Sequence, residues 1–353
     1  MTILLVGNHF TSFNHNKSLW SEFPPRLKEA GWQAITTSSK VQRIPRLLDM
    51  LLTIYNKRSA YQLAEIDVFS GPAFIWAECS ARLLGLLHKP FILTLHGGNL
   101  PAFAERRPVR VRKVLQAARR VVAPSAYLQQ AMRPYRDDIQ VIPNPIDITR
   151  YPYRPRPAAR PTLVWLRAFH EIYNPSLAPR VIKELAAEFP EIRLIMVGPD
   201  KGDGSLQIML SLARELDVTH EIEVIGGIPR AQVPEMLGKA DIFINTTNYD
   251  NTPVSVIEAM ACGLCVVTTN VGGIPYLLEH EHDALLVPPD DAPAMAAAVR
   301  RILTEPGLAE KLSCNARKKA EGFDWSVVLP QWEHLFNSIR SYAVEREHVR
   351  LGA

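Results

Sequence analysis

Asp250 and Glu258 bracket seven residues, and across that interval the chain passes from a strand to a helix. The preceding run Ala240-Asp241-Ile242-Phe243-Ile244-Asn245 reads as a buried strand. Pro253 suits the first turn of a helix, where its missing N–H costs nothing. Val254, Ile257, Glu258 and Ala261 then recur at helical spacing. Gly263 stops that helix, and Leu264-Cys265-Val266-Val267-Thr268 reads as the next strand. Asp250 is therefore expected on a loop just ahead of a helix N-terminus, with Glu258 about two turns in. Loop amides and the helix dipole favour an anion at such a place. Free backbone N–H groups for phosphate, with carboxylates for sugar hydroxyls, suit a nucleotide sugar.

The same alternation runs along the whole chain. Residues 3–6, 66–69, 91–95, 120–123 and 139–142 read as strands. Residues 19–30 and 110–118 read as helices, with Pro24-Pro25 arguing for a break or a late start in the first. The proline-rich run from Tyr151 to Pro161 marks a boundary. Beyond it, strands at 162–166, 193–197 and 222–225 alternate with helices at 179–188 and 207–216. The last helices are expected at 291–301 and from 325 to the C-terminus. Alternation of this kind implies parallel sheets covered by helices. A chain of 353 residues is long enough for two such domains. They are placed at 1–155 and 156–325, with 326–353 as a closing helix. Ligands of open α/β sheets bind beyond the carboxyl ends of the strands. The expected architecture is therefore α/β, with two Rossmann-like domains facing across a cleft.

Charge is divided unevenly between the halves. The net charge is +4, but residues 1–155 carry 21 Lys/Arg against 10 Asp/Glu, while the rest carry 19 against 26. The basic half holds a dense cluster: Arg106, Arg107, Arg110, Arg112, Lys113, Arg119 and Arg120. It reads either as a solvated helix face or as a surface attracted to anionic lipid or an anionic acceptor. No stacking aromatics interleave these arginines, so nucleic acid is not an expected partner. Cys262 and Cys265 have no second pair, which argues against a zinc site, and no metal is expected. Residues 1–7 are too short for a signal peptide's apolar region, and no segment reaches the ~20 apolar residues of a membrane span. The expected location is cytoplasmic, with peripheral attachment at the inner face of the membrane left open.

The segment around Asp250 and Glu258 resembles the donor-site motif of retaining glycosyltransferases of family 4, which have the GT-B fold. Their pattern is Glu, seven residues, Glu, then Ala-Met-Ala-x-Gly and a strand. Glu258 and Ala259-Met260-Ala261-Cys262-Gly263 match it, while Asp250 is one methylene shorter than the usual first Glu. Thr269-Asn270-Val271-Gly272-Gly273-Ile274-Pro275 resembles the family's diglycine loop, and Leu286-Val287-Pro288-Pro289-Asp290 the segment that follows it. The resemblance covers nearly the whole chain. It implies that the final helix returns to pack on the first domain.

The resemblance also implies roles. Glu258 is expected to bind the ribose hydroxyls, Asp250 the sugar hydroxyls, and Ser255 with the loop amides of Asn251, Thr252 and Pro253's neighbourhood the phosphates. Arg167 ends the strand 162–166 and corresponds to the arginine that contacts the diphosphate. The family's following Lys-Gly is replaced by Tyr173-Asn174, which leaves His170, Tyr173 or Asn174 as the second donor. Gly198 and Ile228 lie on further donor-side loops, Ile228 where the base is held. His96, after the strand 91–95 and before two glycines, resembles the first-domain histidine that meets the transferred sugar. Gly7 lies where the family has a loop near the donor phosphates. Asn8, His9, Asn14, His15 and Asn99 are candidates for the acceptor side.

Together these features lead us to expect transfer of a sugar, with retention, from a UDP- or GDP-linked donor to a hydroxyl of a glycan or lipid-linked acceptor. No cofactor is expected besides the donor substrate. His96, Arg167 and Asp250 are the expected catalytic residues. Two rivals stay open: a GT-B nucleotide-sugar epimerase, and a non-catalytic partner subunit that kept the fold.

Overall fold

The computed structural model describes residues 1–7, 22–40 and 42–351, with side chains up to 339. The chain divides into two compact units, Met1–Pro145 with Trp325–Ala353, and Ile146–Asp324.

The first unit is built on a six-stranded sheet in which every pairing is parallel. Its strands are β1 (Thr2–Val6), β2 (Gln33–Thr36), β3 (Leu63–Val68), β4 (Phe91–Leu95), β5 (Arg120–Ala123) and β6 (Gln140–Val141). The order β2-β1-β3-β4-β5-β6 means that the chain steps outward from β1 to β2, then crosses back to β3. The switch point lies between β1 and β3. The inner strands β1, β3, β4 and β5 are almost wholly buried because helices cover both faces. One face carries α2 (Arg43–Asn56), α3 (Phe74–Leu86) and α5 (Pro108–Ala117), which share a core with Leu4, Ile66 and Leu93. The other face carries α1 (Phe23–Glu29), where Pro24 and Pro25 occupy the first turn. That helix therefore starts late, as its prolines require. The long last helix, α14 (Trp325–Leu351), packs beside α1, with Trp325, Trp332 and Phe336 against Phe23.

The second unit repeats the plan with β7 (Thr162–Leu166), β8 (Arg193–Val197), β9 (Ile222–Ile225), β10 (Ile242–Asn245), β11 (Cys265–Thr269) and β12 (Leu285–Val287). Their order is β12-β11-β10-β7-β8-β9, again all parallel. The chain runs outward through β8 and β9 and returns to β10, which places the switch point between β7 and β10. The proline-rich run is not a free linker. Arg154, Arg156 and Arg160 converge on the buried carboxylate of Asp241 at the start of β10, and Arg156 is only 1% exposed. Among the described residues no helix is long and apolar enough to cross a membrane.

Candidate functional site

Arg167 follows β7 and Asp250 lies on the loop after β10, so the switch point of the second sheet brings them together. In open α/β sheets this crevice is where ligands bind. The Arg167 guanidinium forms an ion pair with the Asp250 carboxylate, and both side chains are 14% exposed. The Tyr173 ring lies 4.4 Å from the same guanidinium, in cation–π geometry. Burial pushes the Arg167 pKa down to about 10, with the nearby Tyr173 and Glu258 opposing the shift. The group still carries its full charge at neutral pH, held in a poorly solvated place.

A layer of threonines fixes the loop that carries Asp250. Trp165 Nε1 donates to Thr246 Oγ1 at 2.8 Å, and Thr246 Oγ1 donates to the Tyr173 carbonyl at 2.7 Å. Thr269 Oγ1 donates to the Thr247 carbonyl at 2.6 Å, and Thr247 Oγ1 to the Tyr249 carbonyl at 2.9 Å. The diglycine loop closes over the same backbone. Gly273 N–H donates to the Asp250 carbonyl at 2.9 Å. A Cβ on Gly272 or Gly273 would strike the Asp250 or Asn251 carbonyl, and Gly272 has φ +54°. Only glycine allows this approach.

Helix α10 (Val254–Ala261) starts one residue later than expected. Pro253 is its N-cap, with ψ 112°, and not its first turn. No side chain caps this N-terminus. The hydroxyls of Thr252 and Ser255 are buried there without hydrogen-bond partners. Buried hydroxyls in this condition are uncommon and invite a ligand. Glu258 is 6% exposed and receives two bonds on Oε1, from Tyr151 Oη at 2.7 Å and Arg230 at 3.3 Å. Burial raises its pKa above the ordinary carboxylate value, while Arg230, Tyr151 and Arg167 pull it down. Gly263, with φ +75°, ends the motif one residue past the helix cap.

The three candidates for a second phosphate donor each make a contact of their own. His170 caps its own turn, Nδ1 accepting from Ile172 N–H at 3.1 Å. Tyr173 stacks on Arg167. Asn174 takes the left-handed conformation that a glycine would favour, and its amide donates to Asp290 at 3.0 Å. A second cation at this site is Arg230, paired with Glu258 from the 3-10 turn in the loop after β9. Sequence reading marked that loop through Ile228 but missed Arg230 and Tyr151 as partners of Glu258. Gly198 closes β8, donating to the Ile225 carbonyl at 3.1 Å.

In the first unit, His96 follows β4 and meets a residue that carries no motif. Its Nε2 lies 2.7 Å from Asp67 Oδ1, at the end of the neighbouring strand β3. The Phe69 ring stacks on the imidazole at 5.0 Å. The Asp67 carboxylate lies over Gly7, filling the space a side chain there would need. One strand pleat deeper, Glu65 is fully buried and accepts from Thr94 Oγ1 at 2.5 Å. Burial, and then the charge of Asp67, push the Glu65 pKa well up. Asn99 is exposed at the start of α4 (Leu100–Arg106). Asn8, His9, Asn14 and His15 lie outside the described residues. Among the described residues, no three His, Cys, Asp or Glu side chains converge as a metal site would require.

Known proteins give the geometry a context. A family described as "Glycosyltransferase Family 4" matches residues 3–150, and one described as "Glycosyl transferases group 1" matches 155–319. D-inositol 3-phosphate glycosyltransferase of Rhodococcus jostii is 26% identical over 249 residues, 66% of this chain and 55% of that protein. The chain thus spans little more than half the length of this curated relative. Sucrose-phosphate synthase from Thermosynechococcus elongatus superposes with a TM-score of 0.76 at 19% identity, covering 97% of this chain and 99% of that one. Anabaena HepE in complex with UDP gives 0.75 at 16% identity, covering 96% and 100%. Two Rossmann-like units, each matched by its own glycosyltransferase family, identify the chain as a member of the family 4 glycosyltransferases of the GT-B fold.

Proposed function

We propose that the chain transfers a sugar from a nucleotide donor, with retention of the anomeric configuration, to a hydroxyl of a glycan or lipid-linked acceptor. The observation that carries this reading is the cluster at the second switch point. There Arg167 and Arg230 stand against Asp250 and Glu258, beside two unpaired hydroxyls at a helix N-terminus. Arg167 stabilises the leaving diphosphate as negative charge develops on it. Arg230 supplies the second cation in place of the missing Lys. Ser255, Thr252 and the first amides of α10 bind phosphate oxygens. Glu258 accepts from the ribose hydroxyls through Oε2, since Tyr151 and Arg230 both bond Oε1. Asp250 holds the sugar and leaves its pairing with Arg167 when the diphosphate arrives. Within the first unit, His96, oriented by Asp67, is the candidate for contact with a sugar hydroxyl. The UDP held by the HepE structure makes UDP the first nucleotide to try. A lipid-linked acceptor would bring the enzyme to a membrane surface, on its cytoplasmic side.

The test is a thermal-shift screen over UDP, GDP, ADP and CMP, followed by incubation with sugars linked to the best nucleotide. Product analysis separates the outcomes. A new glycoside of unchanged anomeric configuration supports transfer. A free epimerised sugar means an epimerase, and no turnover with any acceptor means a partner subunit.

Two further results are expected. Asp250→Asn should leave UDP affinity equal or slightly tighter, because Arg167 is released, while raising KM for the nucleotide sugar. Nucleotide binding that collapses in this variant would show Asp250 to be a structural prop for Arg167. Activity should also persist in excess chelator, because cations of the chain neutralise the diphosphate. Complete loss, restored by Mg²⁺ or Mn²⁺, would show that Arg167 is not the main stabiliser.

A further inference from the structure

Helices α2, α3 and α5 bury one side against the first sheet, yet the outer side of α2 is also apolar. On α2, Ile44, Leu48 and Leu52 follow one another at intervals of one turn and are 74%, 55% and 58% exposed. Tyr55 continues the line, half exposed. Leu86 at the end of α3 is 78% exposed and Val109 at the start of α5 is 76% exposed. Met50 and Ile54 on the opposite side of α2 already supply its core contact. The exposed line is therefore surplus to folding. Single exposed leucines need no explanation, but a contiguous run marks an interaction surface.

The charges around this line are mostly positive, with Asp49 on α2 and Glu105 ahead of Arg106 as acids among them. Arg43 stands at the N-terminal end of α2, and Lys57 and Arg58 follow its C-terminal end, all exposed. Arg58 lies over the Tyr55 ring at 4.3 Å. Arg82 on α3 and Arg106, Arg107, Arg112 and Lys113 on and before α5 extend the same layer. On α3, Glu78 is already held by Arg82 and Arg110 at 2.8 and 2.6 Å. Two copies of this face set against each other would oppose like charges, which disfavours a two-fold self-contact. An anionic bilayer satisfies both parts at once. Its acyl boundary takes the apolar line of a helix lying in the surface plane, and its phosphates take the flanking Lys and Arg.

We propose that α2, flanked by α3 and α5, is the face through which the first unit docks on an anionic lipid surface. The arginines near α5 alone do not define it: Arg110 is committed to Glu78 and stacked on Phe74, and the apolar line lies on α2. The inference is independent of the donor chemistry proposed above, and its test reads lipid binding and not turnover.

The experiment is sedimentation of the full chain with vesicles of phosphatidylcholine alone, or with about a third phosphatidylglycerol. The parent should sediment only with the anionic vesicles. High salt should weaken that binding without abolishing it, because the apolar contact is not screened. The triple change Ile44→Ser, Leu48→Ser, Leu52→Ser should lower the bound fraction about tenfold, with an unchanged melting transition. Leu48→Trp should show a blue-shifted emission when anionic vesicles are added. No binding by the parent overturns the proposal. So does a triple variant that binds as the parent does, which would leave only a nonspecific basic surface. A parent that elutes as a dimer and becomes monomeric in the triple variant also overturns it, by showing that the face covers itself.

Discussion

Arg167→Ala is expected to lower turnover by about 10²–10³-fold, the loss seen when a preorganised donor to developing charge is removed. The environment of Arg167 argues for an effect of this size. Its charge is held in a poorly solvated site, where an interaction with a leaving diphosphate is worth far more than in water. It is already aligned by Tyr173 and Asp250, so little reorganisation is needed during the reaction. Arg167→Lys should recover only part of the rate. A lysine keeps the charge but loses both the planar fork and the stacking on Tyr173. Steady-state kinetics with the donor identified by the nucleotide screen provide the check. The expected pattern is a fall in kcat together with kcat/KM, because the contact strengthens in the transition state. A variant that keeps the parent's kcat and loses only affinity would make Arg167 a ground-state binder. A variant indistinguishable from the parent would remove it from the site.

The donor-side elements were readable because local chemistry and tertiary position agree there. Strand β10, helix α10, Gly263 and strand β11 follow from apolar runs and one stop residue, with Pro253 displaced by a single position. Helices α2 and α3 escaped the same reading for opposite reasons. Nearly every residue of α3 is apolar, so no period emerges. On α2 apolar residues do recur at helical spacing, so a period was there to read, but the spacing does not tell that much of the apolar side faces outward. The partners of Glu258 were also out of reach. Tyr151 is 107 positions away, in a run that reads as a proline-rich connector. That run is anchored because Asp241 gathers its arginines, a convergence that only the fold creates. Asp67 has no motif at all. It becomes a partner of His96 because β3 and β4 pair in parallel register and end side by side.

Glu258→Gln should weaken nucleotide binding by about 1.5–3 kcal/mol, the worth of a hydrogen bond to a charged group. That is roughly a ten- to 150-fold rise in Kd. The substitution keeps shape and keeps an acceptor for Tyr151 and Arg230, so the melting transition should move little. What it removes is the charged acceptor Oε2 itself: with the amide oxygen kept by Tyr151 and Arg230, an NH2 donor stands where the ribose hydroxyls would donate. The same logic gives a pH signature. Burial raises the Glu258 pKa above the ordinary carboxylate value. On acidification the carboxylate therefore takes up its proton earlier than an exposed one, and the charged acceptor is lost. Nucleotide affinity of the parent should accordingly fall as the pH drops through that raised range, and be constant above it. The Gln variant has no such proton to gain, so its weaker affinity should lack that acid limb. Calorimetric titration of both proteins across mildly acidic to neutral pH separates the two curves. Equal affinities at neutral pH, with both proteins folded, would mean that Glu258 serves only to hold Tyr151 and Arg230 in place.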